Sequence, residues 1–313
     1  MIPVRSFSTR GSQNRTVILR RLWGIIELNM ITVITDSTCD LAPEVVAEYG
    51  IVVVPMLIEI DGTTYEDGIT ITREKFYAGL PTYKDVPKTA ACSPGAMAEA
   101  YRAARAAGAT GIISVHISRH SSGVCAAADI AAADLKAEGL DVRVVDSGVM
   151  TIALGMQAVE AVKLARAGKT LDEIVAALEA RRHGSRIIVL VDTLKFLRRG
   201  GRVSAFSAGI GELLNIKPLL EMREGVISGI DKIRTRKRGI DRVVEEIQAW
   251  VGGKKIVQLS IVYTGGEQSE DLAALKARIE ALGPVEPAAP ILATPIIAAH
   301  VGPLGLAVIA VTG

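Results

Sequence analysis

Hydroxyl and imidazole groups are concentrated in the segment SRHSSG, residues 118–123, between a β-branched run and an alanine-rich stretch. Ser118 or Ser122 could act as a nucleophile, with His120 as the base and Asp36 as an orienting acid. The same hydroxyls could instead bind an anion, because the start of a helix offers free N–H groups and a positive dipole end. They could also do no more than cap that helix.

Two further polar segments, TDST (35–38) and KTAACSPG (88–95), follow a predicted strand or precede a predicted helix. In an open parallel sheet the carboxyl ends of the strands meet at one crevice, and ligands bind there. Capping is the simpler interpretation of Ser93 and Ser122 when each is taken singly. The convergence of three such segments favours a site for an anion.

A single histidine, His300, stands in the apolar segment PIIAAHVGPLG, just before a glycine–proline turn. Such a residue is commonly part of the core, but Gly302 and Gly305 indicate backbone that passes close to another group. The sequence leaves open whether His300 binds a ligand, acts as the base of a hydrolase in place of His120, or only fills space.

Standard cofactor and metal motifs are not matched. AGKT (167–170) lacks the leading glycine of a phosphate loop, GIGELL (209–214) lacks the third glycine of a dinucleotide loop, and neither Ser93 nor Ser122 lies in GxSxG. His116 and His120 are four residues apart, but across a strand end rather than on one helix face. We therefore predict no cofactor and no metal.

The first half of the chain alternates strands and helices, which predicts a parallel sheet covered on both faces. MITVIT, IVVVPMLIEI, TGIISVHI and DVRVVD read as strands, and Asp61-Gly62 as a hairpin turn. Ser93-Pro94 and Thr170 with Glu173 are helix-start signals. The fold class is therefore α/β, with an N-terminal α/β domain over residues 30–160.

The second half, residues 161–313, predicts an α+β domain with mixed strands. GVISG and DKIRTR read as two short paired strands, and a helix is expected over residues 240–251. The apolar stretch 291–311 is long enough for a membrane span, but its prolines and glycines break a single helix. We read it as strand or loop, a turn at HVGPLG, and a buried strand LAVIAV, so no membrane span is predicted.

The composition of the chain limits its expected partners and location. The net charge of the 313 residues is +2 and aromatic residues make up 4%, so nucleic acid is not an expected partner. The three cysteines have no CxxC spacing, which indicates reduced thiols in a cytoplasm. Residues 1–29 are arginine-rich and read as a transit-type leader or as translation from an upstream start codon. We favour the latter, with Met30 as the true beginning.

The ordered series ITVITDSTCDL, VVPMLIEIDGTTYEDG, VPKTAACSPG, HISRHSSGV, VDTLKFLRRGGRVS, LLNIKPLL, KIRTRKR and AAHVGPLGLAV resembles the DegV family of bacterial fatty-acid-binding proteins. The resemblance covers Met30 to about Val311. It implies two domains with one long acyl chain between them. The carboxylate would then be bound by Thr89, by the Ser118–Ser122 loop and by His300.

The resemblance also implies a partner. Some family members present their bound acid to a fatty acid kinase, which forms an acyl phosphate for phospholipid metabolism. The protein would then be a carrier rather than an enzyme. The basic run with Arg234, Arg236 and Lys237 is a solvated strand edge by default, but it could dock such a kinase, and nucleic-acid contact is a third, weaker option.

This chain departs from the family pattern in the serine segment, where an expected hydroxyl is replaced by Arg119. Arg119 could replace that hydroxyl through a charge-assisted pair with the carboxylate, or it could point to solvent. Arg202, in RRGGRVS, is expected to anchor a tight turn. The departure keeps two alternatives open, namely a serine hydrolase and a sensor of another small anion.

Overall fold

The computed structural model describes residues 30–136, 138–202, 216–265, 269–286 and 288–313. The strands are β1 (Ile31–Asp36), β2 (Val52–Val54), β3 (Leu57–Ile60), β4 (Thr63–Glu66), β5 (Lys88–Ala90), β6 (Gly111–His116), β7 (Asp141–Asp146), β8 (Ser185–Leu190), β9 (Lys217–Arg223), β10 (Val226–Ile233), β11 (Ile256–Tyr263), β12 (Ile291–Leu292) and β13 (Leu306–Thr312). The predictions for residues 1–29 and for GIGELL lie outside the described residues.

The helices within the described ranges are α1 (Pro43–Tyr49), α2 (Arg73–Gly79), α3 (Pro94–Ala106), α4 (Val124–Lys136), α5 (Ile152–Arg166), α6 (Leu171–His183), α7 (Lys195–Arg199), α8 (Arg236–Val251), α9 (Ser269–Glu280) and α10 (Pro295–Val301). The sequence signals at their starts are confirmed where they were strongest. Ser93 Oγ accepts a hydrogen bond from Ala96 N (3.1 Å), and Thr170 and Glu173 form a capping box.

The first sheet is parallel, with the strand order β2-β1-β6-β7, as predicted. Strand β6 is buried at all six positions, which explains why its sequence is a nearly continuous apolar run rather than an alternating one. Two helix pairs, α3 with α4 and α5 with α6, pack on this sheet. The predicted domain boundary at residue 160 lies inside α5, and the first strand of the other large sheet begins at Ser185.

The segment IVVVPMLIEI does not form one strand, contrary to the prediction. It divides into β2, in the parallel sheet, and β3, in a small antiparallel sheet of order β4-β3-β5. Pro55 lies at the division, where its missing N–H could not continue the ladder. The hairpin turn at Asp61-Gly62 is confirmed, and both residues have positive φ (48° and 84°). The small sheet positions Thr89 on β5, opposite Ile58.

The second large sheet has the order β10-β9-β8-β13-β11-β12 and is antiparallel except for the β11–β12 pair. Its side chains alternate between two faces. Ile188 and Val308 lie in the core cluster that contains α8 and α9, whereas Ile187 and Ala307 belong to the cluster that includes the first sheet. We call the face that carries Ile187 and Ala307 the inner face.

Two predictions in the second half were wrong. GVISG and DKIRTR do not form two strands, because Val226–Ile233 is one strand that pairs with β9 and has an irregularity between Gly229 and Asp231. The segment before HVGPLG is not only strand or loop, because residues 295–301 form α10. Pro295 is the first residue of that helix, where its missing N–H costs nothing.

Candidate functional site

A largely apolar cavity lies between the first sheet and the inner face of the second. Alternate residues of β8 contribute Ile187, Val189 and the adjoining Val191, and the facing wall includes Ile117 and Met150. The period of two places Ile187 and Val189 on the cavity side of β8, so the sheet itself forms an apolar wall.

A polar pair, Thr89 and His300, stands at this cavity. Thr89 Oγ1 and His300 Nε2 are 2.8 Å apart, although the two residues are 211 positions apart in the chain. Both residues line the cavity. Thr89 is held by the small antiparallel sheet and His300 by the last turn of α10. The pair offers a hydroxyl and an imidazole to a ligand at one position.

The start of α10 is fixed by the first half of the chain. Asp40 Oδ1 accepts a hydrogen bond from Thr294 N (2.8 Å), and Tyr77 OH donates to Ala293 O (3.0 Å). The Arg73 guanidinium lies 3.3 Å from Asp40 Oδ1. Complete burial nevertheless raises the pKa of Asp40 to about 7, against the opposing effect of Arg73. These contacts determine where α10 begins, and hence where His300 lies.

His300 is neutral near pH 7. Burial, and secondly the positive charge of Arg202, lower the pKa of His300 to about 4. Its Nδ1 is buried and has no hydrogen-bond partner within the described residues. A Cβ atom at residue 200 would lie 2.2 Å from Nδ1, so only glycine fits there. The imidazole therefore serves as a neutral hydrogen-bonding group rather than as a fixed positive charge.

The serine segment is only partly directed at the cavity. Ser121 and Ser122 line it, and Ser122 Oγ also accepts a long hydrogen bond from Val124 N (3.4 Å) at the start of α4. Ser118 does not line the cavity, because it is fully buried and its Oγ donates to Gly225 O (2.8 Å). The structure thus brings Ser122 to the same cavity as Thr89 and His300, but not Ser118.

Arg119 does not reach the apolar cavity. Its guanidinium makes two hydrogen bonds to the carboxylate of Asp129 (2.6 and 3.2 Å), and its side chain is 42% exposed. The Arg119 side chain therefore points to solvent, which is one of the two alternatives that the sequence left open, and it also forms an ion pair with Asp129. Arg119 does line the polar pocket next to Ser121 and Ser122, so its role as a replacement for the missing hydroxyl stays a prediction.

A more open polar pocket adjoins the cavity and shares Ser121, Ser122 and Arg202 with it. Arg202 donates through Nε to Ser121 O (3.3 Å) and through a terminal nitrogen to Gly200 O, which agrees with its expected role in a tight turn. Arg202 also lines the cavity, a position that the sequence did not indicate. The polar end of the cavity therefore faces a second, more open pocket.

Asp36 does not orient either histidine of the hydrolase alternative. Its Oδ2 accepts from His116 Nδ1 (3.1 Å) and from Ile117 N (3.0 Å), and His116 Nε2 lies 2.7 Å from Ser114 Oγ. These side chains are completely buried. Burial opposes ionisation, but hydrogen bonds from His116 and Thr38 hold the pKa of Asp36 below its usual range. The network ties β1 to β6, and the geometry does not support Asp36 as part of a reactive triad with Ser118 or Ser122.

The basic run lies mainly at the start of α8, not at a strand edge as predicted by default. Arg234 and Lys237 are exposed. Arg236 is half-buried, pairs with Asp271 and donates to Leu304 O (2.6 Å). Two of the three candidate docking residues are therefore on the surface, while the third stabilises the fold.

The described ranges contain no group of three or more histidine, cysteine, aspartate or glutamate side chains placed to hold a metal ion. No helix in those same ranges combines the length and the apolar composition that crossing a membrane requires.

Comparison with known proteins gives one consistent result. A family model described as "Uncharacterised protein, DegV family" matches residues 30–313. A DegV domain-containing protein of Deinococcus radiodurans is 37% identical over 255 residues, which cover 80% of this chain and 88% of that protein.

Solved structures agree in fold. A structure described as fatty acid binding of a DegV family protein from Thermus thermophilus is 31% identical, covers 91% of this chain and all of its own, and has a TM-score of 0.81. DegV of Bacillus subtilis, described as a fatty acid binding protein, is 27% identical with a TM-score of 0.79, over 90% of this chain and 99% of that one.

Proposed function

The chain belongs to the DegV family, and we propose on that premise that it binds one long-chain fatty acid and presents it to a partner kinase. The acyl tail occupies the apolar cavity, and the carboxylate binds at Thr89, Ser122 and His300. The observation that carries this proposal is the 2.8 Å Thr89–His300 pair at the wall of a largely apolar cavity.

The two parts of a fatty acid match the two parts of the cavity. Each buried methylene of the tail contributes about 0.8 kcal/mol, so a long chain gains many times that amount from apolar walls such as the inner face. The carboxylate loses its water and needs hydrogen-bond donors to offset that cost. The Thr89 and Ser122 hydroxyls and the neutral imidazole of His300 are suited to supply them.

The carrier role extends this proposal beyond binding. The polar pocket that adjoins the cavity at Ser121 and Ser122 offers a route by which a phosphoryl donor on another protein reaches the acid's head group. A carrier of this type uses its bound fatty acid as the ligand and needs no cofactor of its own. Arg234 and Lys237, exposed near the start of α8, are the residues we propose for docking the kinase.

The first experiment is native mass spectrometry of the purified protein, followed by extraction and identification of lipids. We expect one fatty acid per chain, which is lost in Thr89→Ala and His300→Ala. Ser93→Ala is the matched control, because its hydroxyl caps α3 and it should keep the acid. A protein that carries no acid and whose mass no added fatty acid shifts would refute the binding proposal. A small anion without an acyl tail would support the sensor alternative.

The kinase step has its own test. The loaded protein is mixed with a fatty acid kinase and Mg-ATP, and acyl phosphate is trapped with hydroxylamine. We expect Arg234→Glu with Lys237→Glu to slow hydroxamate formation while the affinity for the acid stays the same. Lys136→Glu, an exposed charge reversal on α4, serves as the control. Equal rates for all variants would exclude docking through this basic run, and no acyl phosphate with the wild type would exclude presentation.

A further inference from the structure

Thr151 has a backbone conformation that side chains rarely adopt. It connects β7 to α5 with φ 58° and ψ −148°. This region of φ and ψ is occupied almost only by glycine, and a β-branched residue is particularly disfavoured there. Strain of this kind persists where the surrounding structure enforces it, and it is concentrated at functional sites. The position of the Thr151 side chain is therefore informative.

The Thr151 hydroxyl makes no hydrogen bond to any residue that the structure describes. The residue is the N-cap of α5, yet its side chain makes no capping hydrogen bond. It is 4% exposed, and Oγ1 is buried without a hydrogen-bond partner among the residues that the structure describes. A buried hydroxyl that lacks a partner is costly, and local capping would have been the usual remedy. Neither the strain nor the burial is offset within the described structure.

Thr151 lines the same cavity as Thr89, Ser122 and His300. Its segment is tied to the serine segment, because Ser118 N donates to Val149 O (3.0 Å). Thr151 also precedes a 15-residue helix, whose N-terminus favours negative charge. The hydroxyl thus stands at the carboxyl ends of the parallel strands, where a polar head group gains most from its surroundings.

We propose that the Thr151 hydroxyl donates a hydrogen bond to the carboxylate of the bound acid, and that its strained backbone serves to aim it into the cavity. This inference rests on the proposed fatty-acid function and adds a binding residue to it. The ligand class that satisfies the hydroxyl, the helix end and the apolar walls together is an amphiphile with an anionic head group.

The test compares Thr151→Gly and Thr151→Ser with the wild type. Glycine removes the hydroxyl and tolerates the backbone conformation, so the free protein should melt higher, by roughly 2–6 °C. Its affinity for stearate should fall about 10- to 100-fold, because a hydrogen bond to a charged group is lost. Its affinity for the neutral alcohol of equal length should fall much less, because an alcohol oxygen accepts a weaker hydrogen bond than a carboxylate does. Thr151→Ser keeps the hydroxyl and should bind stearate nearly as the wild type does.

Glu224→Gly is the matched control, since Glu224 has φ 51° in an exposed turn and does not line the cavity. It should raise the melting temperature without changing stearate affinity. Unchanged stearate affinity in Thr151→Gly would overturn the inference while leaving the proposed function intact. Equal losses for stearate and the alcohol would show a shape effect and overturn it as well. A wild type that binds no stearate would refute the proposed function, and the inference with it.

Discussion

The position of the acyl tail can be tested by filling part of the cavity from its sheet wall. Ala307 lies on β13 at the centre of the inner face, with Val189 and Val262 as its cross-strand neighbours. All three residues line the cavity, and Ala307 has the smallest side chain of the three. Ala307→Leu adds three carbon atoms at this position. If the tail runs along the inner face, the new side chain takes space that the tail would fill.

The magnitude follows from the methylenes displaced. Three carbon atoms of leucine exclude about three methylenes of a tail that fills the cavity, each worth about 0.8 kcal/mol when buried. The expected loss is therefore about 2.4 kcal/mol, or roughly 50-fold in the dissociation constant. A shorter acid does not need the excluded space and should bind Ala307→Leu almost as it binds the wild type. The variant thus changes preference among chain lengths, not affinity in general.

The assay is a competition titration with stearate, palmitate and myristate against a fluorescent fatty acid, with the melting temperature of each variant measured alongside. Ala133→Leu adds the same atoms at an exposed position of α4 and should leave all three affinities unchanged. Val189→Ala enlarges the cavity and should favour the longer acids. Wild-type affinity and chain-length order in a folded Ala307→Leu variant would show that the tail does not lie against the inner face.

Three further results are expected. Thr89→Val keeps a β-branched residue in β5 but removes the hydroxyl that is paired with His300 Nε2. Titration should therefore show an affinity for the acid that is weaker by roughly 10- to 100-fold. Wild-type affinity in this variant would contradict the prediction. The unfolded chain protonates His300 near pH 6.5, but the folded protein does so only near pH 4. As pH falls between these values, the free energy of unfolding of the wild type should therefore drop relative to that of His300→Gln, by up to about 3 kcal/mol. Urea titrations at several pH values measure this difference. A difference that does not change with pH would contradict the argument that burial lowers the pKa of His300. Ser93→Ala removes the cap of α3 and should lower the free energy of unfolding by about 1 kcal/mol in the same titrations, with no change in affinity for the acid. A loss of affinity would show that Ser93 belongs to the anion site.

The parts of the fold that could be predicted are those in which local patterns and burial agree. The parallel sheet was predictable because strands buried on both faces give long apolar runs between helix signals. Helix α10 was not, because Pro295, Ile296, Ile297, Ala298 and Ala299 are all buried and leave no polar face to mark a helical period. The division at Pro55 was missed because β2 and β3 have the same apolar character but belong to different sheets.

The candidate site shows a different limit. Thr89 and His300 were identified by resemblance, but their contact depends on two elements more than 200 residues apart in the chain. Residue type alone could not show that the Ser118 hydroxyl would donate its hydrogen bond to Gly225 O, since Gly225 lies in the second half of the chain. Thr151 was missed altogether, because the signal that marks it is a backbone torsion and not a residue pattern.

The polar atoms around the cavity indicate how a fatty acid and the fold depend on each other. Ser121 Oγ and Thr151 Oγ1 are both buried and have no hydrogen-bond partner within the described residues. Each such group costs about 1–3 kcal/mol, a large amount against a total folding free energy of about 5–15 kcal/mol. A carboxylate accepts several hydrogen bonds and so relieves this cost, whereas a neutral alcohol of the same length relieves less. Because a ligand that binds more tightly adds more to stability, an acid should raise the melting temperature more than its alcohol does at equal free ligand concentration. That difference comes from the head group alone, so it separates the contribution of the polar site from that of the apolar walls.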